Sequence, residues 1–319
     1  NKGFIILTEA GDNIGFGHLK RCLSLQTKFQ SEKLNCSIFI NVEGEYDFQN
    51  ENNITLINWI DSLNLIFPLV DENTLVIIDS YRATKKVYDL FTKKSIKTIV
   101  IDDFNRMDYG NVQLILNPNP YFDKITYDNQ TTTTIIGGED HIILSTPFIE
   151  SKKSKIDSKS KLNQICVCIG GSDYKNILPI VLNQISLTEF NDIIVITGNE
   201  EQIHKLKNEY DQFKFKCNLN SEEIYDVFQN SKLVISGCGQ TLHELSSIGK
   251  KTIGICYDYD QKMNQEFYLK KSFLKYSLFA DDISDLQHIV LEEYENDREV
   301  CATKSSEGLN NIYNSLMRI

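Results

Sequence analysis

The chain has 319 residues, of which 41% are hydrophobic and 24% charged, and its formal net charge is −11. This length and hydrophobic content predict two globular domains of roughly 150 residues, each with its own core. The negative charge argues against a nucleic-acid partner, because affinity for a phosphate backbone comes from Lys and Arg. A small anionic ligand remains compatible with it, provided that helix N-termini and a few basic side chains supply a local positive site.

The eight cysteines do not have the pattern of a disulfide framework or a metal site. Cys166 and Cys168 lie in an apolar run, with no second pair at zinc-ligand spacing. We therefore expect reduced, mostly buried thiols and no metal. The sequence shows no signal-like segment and no run of 18 apolar residues, which favours a cytoplasmic protein without a membrane span.

Short β-branched runs alternate with longer amphipathic stretches along the chain, a pattern typical of parallel strands joined by helices. In the first half the predicted strands are residues 4–7, 37–40, 75–78, 98–101 and 114–116. In the second half they are residues 165–169, 193–196, 233–235 and 252–255. Uniformly apolar strands indicate sheets covered by helices on both faces. Residues 283–319 are predicted to form two further helices.

Residues 151–163 separate the two halves and are rich in Lys and Ser. Such a segment cannot bury itself and is predicted to be a linker. The sequence thus predicts an α/β protein with two Rossmann-like domains, residues 1–150 and 164–319, and a ligand cleft between them. Ligands of open parallel sheets bind beyond the carboxyl ends of the strands, so the turns that follow the strands are the candidate sites.

The first such turn contains Gly15 and Gly17 and leads directly into a predicted helix with His18 at its start. The glycines permit close backbone approach, and a helix N-terminus offers N–H groups to an anion. A dinucleotide fingerprint would require a third glycine where Lys20 stands, and no Walker A Lys-Ser or Lys-Thr follows. His18 is either a capping or packing residue or a general base, and its place at the mouth of the turn favours the base.

Two turns in the second half have the same design. The first contains Gly170, Gly171, Ser172 and Asp173, and the second contains Gly237, Gly239, Gln240 and Thr241. Both are predicted to present N–H groups and hydroxyls to a diphosphate, although Ser172 or Asp173 also suits a helix N-cap. Glu244, one turn into the next helix, is either a ligand for a ribose diol or a solvated carboxylate.

The chain resembles the UDP-2,4-diacetamido-2,4,6-trideoxyhexose hydrolases of pseudaminic acid biosynthesis, a family related to spore-coat polysaccharide proteins and to GT-B glycosyltransferases. The resemblance runs from about Phe4 to Tyr268. Its most specific element is residues 14–21, which include Lys20 and Arg21. The other matching residues follow in the family's order: 77–81, 101–104, 116–117, 170–176, Glu244, Asn264 and Gln265.

This resemblance implies a GT-B-like fold and a UDP-sugar as substrate. It implies that His18 is the general base for attack of water on the anomeric carbon, and that Tyr81 and Asn264 line the sugar site. Glu244 and the second-half glycine turns match the nucleotide site. Lys20, Arg21 and Gln265 lie in the matching segments and are expected to bind the substrate or its nucleotide, and no cofactor is implied. Residues 7–9 lack an Arg that the family carries, and residues 141–145 lack another, which leaves the sugar's identity open.

Three functions follow as alternatives. The first is hydrolysis of a nucleotide-activated sugar, in surface polysaccharide or flagellin glycosylation. The second is a glycosyltransferase in which His18 deprotonates an acceptor hydroxyl instead of water. The third is a nucleotide-sugar-binding protein without catalysis, against which the presence of His18 argues.

Overall fold

The computed structural model of the protein describes residues 2–11, 14–44, 53–128, 133–150, 163–171, 173–303 and 307–319. The chain divides into two compact units. The first unit comprises residues 1–144 and 307–319, and the second comprises residues 145–306. Of the predicted linker, residues 151–162 lie outside the described part of the chain.

The first unit contains a seven-stranded parallel sheet in the order β3-β2-β1-β4-β5-β6-β7. Its strands are β1 (Gly3–Gly11), β2 (Asn35–Glu43), β3 (Ile54–Leu56), β4 (Thr74–Asp79), β5 (Thr98–Ile101), β6 (Leu114–Asn117) and β7 (Thr134–Gly137). Its α-helices up to residue 144 are α1 (Gly17–Ser31), α2 (Leu63–Ile66) and α3 (Lys85–Lys93). Short 3-10 helices span Phe67–Leu69, Phe122–Lys124 and Glu139–His141.

The second unit contains a six-stranded parallel sheet in the order β10-β9-β8-β11-β12-β13. Its strands are β8 (Ile165–Cys168), β9 (Ile193–Thr197), β10 (Lys214–Cys217), β11 (Leu233–Gly237), β12 (Thr252–Cys256) and β13 (Ser277–Phe279). Its helices are α4 (Thr146–Ile149), α5 (Ile177–Ser186), α6 (Glu200–Glu209), α7 (Ser221–Gln229), α8 (Gln240–Ser247), α9 (Tyr259–Lys270) and α10 (Leu286–Glu295).

The central strands form the core of each unit. Every residue of β4, β5 and β6, and of β8, β9, β11 and β12, is buried. Full burial of successive residues requires cover on both faces of a sheet, which the connecting helices supply. The uniformly apolar predicted strands are therefore confirmed. No helix in the described part of the chain is long and apolar enough to cross a membrane.

Each sheet has one point at which the strand order reverses. In the first sheet β1 pairs with both β2 and β4, and in the second β8 pairs with both β9 and β11. The connections on the two sides of such a pair run in opposite directions, which opens a crevice at the carboxyl ends of the two strands. These two points are the expected ligand-binding edges of the two sheets.

The C-terminal helix α11 (Gly308–Met317) belongs to the first unit, although the sequence analysis assigned residues 164–319 to the second. That assignment is wrong for this helix. Leu309, Ile312 and Leu316 are buried, and α11 packs against α1 and the Glu139–His141 turn. The Lys2 ammonium also donates to the carbonyl of Met317, at 2.7 Å. The apolar face of α11 therefore completes the core of the N-terminal unit.

Candidate active site

His18 lies in the first turn of α1, directly after β1. Its imidazole is buried, and Nδ1 lies 2.7 Å from Oδ1 of Asp79, the last residue of β4. Since β1 and β4 are the neighbours that flank the switch point of the first sheet, the start of α1 and the end of β4 must meet there. Within the described residues Nε2 has no hydrogen-bond partner. An imidazole bound in this way carries its proton on Nδ1 and presents Nε2 as an acceptor.

Arg21 lies one helical turn after His18, on the same face of α1. Its Nε and Nη2 donate to the two oxygens of Asp79, both at 2.6 Å. Nη1 and Nη2 donate to the two oxygens of Asp103, at 2.8 and 3.0 Å. This planar, doubly bidentate arrangement uses all three guanidinium nitrogens. Four of the five N–H donors of Arg21 are therefore engaged within the protein, and its contact with the substrate stays a prediction.

These charges shift the pKa values of His18, Asp79 and Asp103. Burial lowers the pKa of His18, but the Asp79 carboxylate, with help from Asp103, outweighs it and raises the pKa above its ordinary value of 6.5. Burial raises the pKa of Asp79, but Arg21 and His18 hold that pKa well below its usual range. Burial also opposes ionisation of Asp103, and Arg21 again lowers its pKa. Both carboxylates are therefore ionised at neutral pH.

Tyr81 lies in the loop that follows β4 and closes the cluster. Its hydroxyl donates to Oδ2 of Asp103 at 2.7 Å, and its ring meets the His18 ring edge-on with centroids 4.4 Å apart. The loop is held by Glu9 at the end of β1, whose carboxylate accepts from the Tyr81 backbone N–H at 2.7 Å and from the Ser80 hydroxyl at 2.5 Å. The structure thus brings together Tyr81 and His18, as the resemblance implied.

Arg106 holds the same loop from the other side. Its Nη1 donates to the carbonyl of Tyr81 at 2.8 Å, and its Nη2 donates to the carbonyls of Ser80 and Ala83 at 2.9 and 3.0 Å. Three carbonyls that point at one guanidinium fix the backbone of the loop. Arg106 therefore acts on the position of Tyr81.

The adjacent carboxylates Asp102 and Asp103 are both engaged with protein donors. Asp103 accepts from Arg21 and Tyr81 as described, and from Nδ2 of Asn119 at 2.5 Å. Asp102 accepts from the hydroxyls of Tyr109 and Tyr127 and from two backbone N–H groups. Oxygens that already receive strong hydrogen bonds are poor candidates for a divalent cation, which needs free oxygen ligands.

The two glycines of the first glycine turn, Gly15 and Gly17, differ in the reason for which a glycine fits there. Gly15 has φ +78°, a conformation that favours glycine, and pairs with Gly11 in an isolated antiparallel bridge. At Gly17 a Cβ would meet nothing within 4 Å. Packing therefore does not require a glycine at position 17, and the space beside it is open. Lys20, one turn further along α1, is only partly buried.

In the second unit, two glycines make room for Tyr257, which follows β12. A Cβ at Gly170 would lie 2.8 Å from the Tyr257 hydroxyl, and a Cβ at Gly237 would lie 2.9 Å from its ring and 2.3 Å from the carbonyl oxygen of Ile169. These glycines are thus required by internal packing at the β8/β11 switch point. Their contact with a diphosphate stays a prediction.

Asp173 is a helix cap. Its carboxylate is buried and accepts from the backbone N–H groups of Ile177 and Leu178 at 2.8 and 2.9 Å, and from Nε2 of Gln202 at 2.5 Å. The N-cap position of α5 is Asn176, so Asp173 caps the first two N–H groups of the helix from three residues further upstream. Ser172 lies outside the described residues. The carbonyl of Gly171 accepts from the backbone N–H of Gly198, at 2.6 Å.

In the β11–α8 turn, Cys238 and Gly239 lie beside Gln261. Gly239 is the N-cap of α8, and Gln240 and Thr241 form its first turn. A Cβ at Gly239 would make only ordinary contact with Gln261, at 3.8 Å. Gln265 is buried and donates to Oγ of Ser277 at 2.8 Å, and its part in ligand binding stays a prediction.

Glu244 and Asn264 are buried polar residues near that turn. Glu244 is only 5% exposed, so the interpretation as a solvated carboxylate is wrong, and its Oε1 accepts from the Ser145 hydroxyl at 3.2 Å. Asn264 is also 5% exposed, and its Nδ2 donates to the carbonyl of Cys238 at 3.2 Å. Its Oδ1 has no hydrogen-bond partner among the described residues. A buried acceptor left in this state costs free energy unless a ligand supplies a donor.

Comparison with known proteins agrees with this architecture. Residues 164–317 match the glycosyltransferase family 28 C-terminal domain. Over 282 residues the chain is 22% identical to the UDP-2,4-diacetamido-2,4,6-trideoxy-beta-L-altropyranose hydrolase of Campylobacter jejuni, covering 83% of this chain and 96% of that protein. The resemblance to this hydrolase family is therefore confirmed.

Two solved structures resemble this chain over nearly its whole length. MurG of Acinetobacter baumannii is 11% identical, with a TM-score of 0.60 over 99% of this chain and 100% of that chain. The UDP-GlcNAc 2-epimerase of Neisseria meningitidis bound to UDP-GlcNAc is 11% identical, with a TM-score of 0.61 and the same coverage. The chain has a GT-B-like fold.

Within this GT-B-like fold, sequence reasoning missed three residues that build the site. Asp79 and Asp103 lie in the matching segments 77–81 and 101–104 but were given no role, and Glu9 was noted only for the Arg missing beside it. A usable signal existed for the first two, because each is an acidic residue at or directly after the end of an apolar strand. At a switch point such a position faces the ligand-binding edge.

Proposed function

We propose that this protein is an enzyme that hydrolyses a UDP-activated deoxy-acetamido sugar to the free sugar and UDP. The observation that carries the proposal is the buried His18–Asp79 pair with Nε2 of His18 left as an acceptor. It stands at the switch point of the first sheet, where open α/β sheets bind ligands. The similarity to the Campylobacter jejuni hydrolase supports the reaction class.

In the proposed reaction Nε2 of His18 takes a proton from water as its oxygen attacks the anomeric carbon. The bond from that carbon to the phosphate oxygen breaks, and its electron pair leaves with UDP. Asp79 holds the imidazole in the required tautomer and stabilises the imidazolium that forms. The buried carboxylate, itself held by Arg21, supplies this stabilisation without reorganisation during the reaction.

We assign nucleotide binding to the second unit. Backbone N–H groups at the start of α8 and the turn after β8 would meet the diphosphate, and the buried Glu244 would accept hydrogen bonds from a ribose diol. The unpartnered Oδ1 of Asn264 suits a donor on the sugar, such as an acetamido N–H or a hydroxyl. The match of residues 164–317 to a glycosyltransferase domain supports an assignment of the nucleotide to this unit.

That same match favours a second candidate, transfer of the sugar to an acceptor hydroxyl. Chemically it differs only in the group from which His18 takes the proton. Incubation with a panel of UDP- and CMP-sugars and no acceptor separates the two functions. Release of UDP and free sugar at an enzymatic rate supports hydrolysis, whereas UDP release that requires an added acceptor supports transfer. Binding of a nucleotide-sugar without hydrolysis or transfer would indicate a non-catalytic nucleotide-sugar-binding protein.

The pH dependence of hydrolysis follows from the raised pKa of His18. A base must be unprotonated, so kcat/KM should rise with pH along an acid limb whose midpoint lies above 6.5. The limb is measured from initial rates of UDP release between about pH 5 and 9. His141 serves as control, because burial lowers its pKa. His141→Gln should keep the limb in place, and a wild-type midpoint below 6.5 would contradict the assignment.

Hydrolysis should not require a divalent cation. The adjacent carboxylates near the site, Asp102 and Asp103, already accept hydrogen bonds from protein donors. We expect UDP release to continue unchanged in excess EDTA. Loss of activity in EDTA, with recovery on addition of Mg²⁺ or Mn²⁺, would bring both residues into diphosphate binding and refute the proposed use of backbone N–H groups.

Gly17→Ala tests whether the substrate uses the open space beside α1. Because a Cβ there meets nothing within 4 Å, the methyl group should not lower the free energy of unfolding. If substrate fills that space, transition-state binding should weaken by about 1–3 kcal/mol, the usual cost of overpacking, seen as a lower kcat/KM. Gly3→Ala, at the opposite end of β1, is the matched control. Equal kcat/KM in both variants would remove Gly17 from the site.

A further inference from the structure

In the proposed mechanism the buried guanidinium of Arg21 serves only to hold the Asp79 carboxylate. Its side chain is 10% exposed and lies between Asp79 and Asp103, whose side chains are 0% and 5% exposed. Nη2 also lies 3.2 Å from Nδ1 of His18. A cation is therefore held next to the nitrogen through which Asp79 binds the imidazole.

Several charged or titratable groups surround His18. From β4 comes Asp79, and from the loops after β4 and β5 come Tyr81, Asp102 and Asp103. Helix α1 contributes Arg21 and Cys22, and Sγ of Cys22 lies 3.5 Å from Asp79. Strand β1 contributes Glu9, whose carboxylate accepts hydrogen bonds from Ser80 and Tyr81. Among these, Asp79 and Asp103 favour a proton on His18, and Arg21 opposes it.

We propose that Arg21 is a positioning residue that weakens the hold of Asp79 and Asp103 on the His18 proton. Without it, two buried carboxylates would face one imidazole and would keep it protonated well above neutral pH. With it, their charge is shared between the guanidinium and the imidazole, and Nε2 becomes available to accept a proton at a lower pH. The inference concerns His18 itself, and only its consequence for turnover rests on the proposed function.

The geometry explains why an arginine is suited to this position. Four hydrogen bonds to two carboxylates need a planar fork with donors on both edges, which a lysine ammonium cannot supply. The guanidinium also keeps its charge at any pH at which the protein is folded, so that it does not itself titrate with His18.

The test is an NMR titration of the ring nitrogens of His18 in protein labelled with ¹⁵N-histidine, with the signal assigned by its loss in His18→Gln. In Arg21→Gln the midpoint of His18 should move upward by about 1–3 pH units, the usual effect of removing a charge at this distance. The acid limb of kcat/KM should move by the same amount. In Asp103→Asn, which removes a negative charge, the midpoint should move downward.

A second comparison serves if Arg21→Gln does not fold. Arg21→Gln combined with Asp103→Asn removes one charge of each sign, and its midpoint should lie above that of Asp103→Asn alone. An unchanged or lower midpoint on loss of Arg21 in either background overturns the proposal, as does a loss of activity at every pH without a shift. If the NMR midpoint moves but no acid limb exists in kcat/KM, the inference about Arg21 stands and the role of His18 as base fails.

Discussion

Replacement of His18 by alanine should lower the rate of UDP release by about 10²–10⁴-fold, the usual contribution of a general base. The fold should survive, because Asp79 keeps its bidentate contact with Arg21 when the imidazole is removed. UDP affinity should hardly change, since nucleotide binding is assigned to the second unit. Turnover is measured by nucleotide release and affinity by calorimetry. Turnover at the wild-type rate would exclude His18 as the base.

In the same variant, the pH dependence of the free energy of unfolding tests the His18–Asp79 contact. The folded-state pKa of His18 is raised, so the pair contributes its full stability below the unfolded pKa of about 6.5 and loses it as the pH rises through the folded value. His18→Ala should therefore lower the free energy of unfolding more at pH 6 than at pH 9. Urea unfolding at both pH values measures this. The opposite order would mean that His18 is buried as a neutral packing residue.

The strands that the sequence predicted and those that it missed differ in their environment. The nine predicted strands lie in or next to the sheet centres and have uniformly apolar runs because helices cover both of their faces. The missed strands β3, β7, β10 and β13 lie at the four sheet edges. They are partly exposed and contain residues such as Lys214 and Lys216. An edge strand needs no continuous apolar run, so its sequence resembles that of a loop.

The candidate site could be predicted only where its residues follow one another in the chain. The glycine turn and His18 are contiguous and could be found directly. Asp79 ends β4 and Asp103 lies in the loop after β5, and only the order β1-β4-β5 brings them to Arg21. The sequence analysis placed Arg21 among the substrate- or nucleotide-binding residues, since it lies in the matching segment 14–21. Its two carboxylate partners could not be found in this way, because they are distant in sequence.

Local patterns also misplaced α11, for a different reason. Its amphipathic pattern correctly predicted a helix but carries no information about which core it completes. Ile312 and Leu316 are buried in the N-terminal unit, more than 160 residues away in sequence from the Glu139–His141 turn that α11 contacts. Only the folded chain shows that the N-terminal unit is completed by its last helix.

Replacement of Glu244 by alanine should weaken UDP binding by about 1.5–3 kcal/mol, the value of a hydrogen bond to a charged group, or roughly 10–150-fold in Kd. Burial of the carboxylate makes the loss larger than for a surface residue, because water does not replace the bond. If the carboxylate accepts from the ribose diol, the loss should be smaller for 2′-deoxy-UDP, which has one hydroxyl fewer to donate. Calorimetry with both nucleotides measures the difference.

Ser145→Ala is the matched control for this prediction. It removes the hydroxyl that donates to Oε1 of Glu244 at 3.2 Å but leaves the carboxylate in place. Its effect on UDP should be smaller than that of Glu244→Ala, and it should be equal for UDP and 2′-deoxy-UDP because no ribose contact is lost. If Glu244→Ala also weakens the two nucleotides equally, the carboxylate stabilises the second unit through contacts such as Ser145, and the ribose must be bound elsewhere.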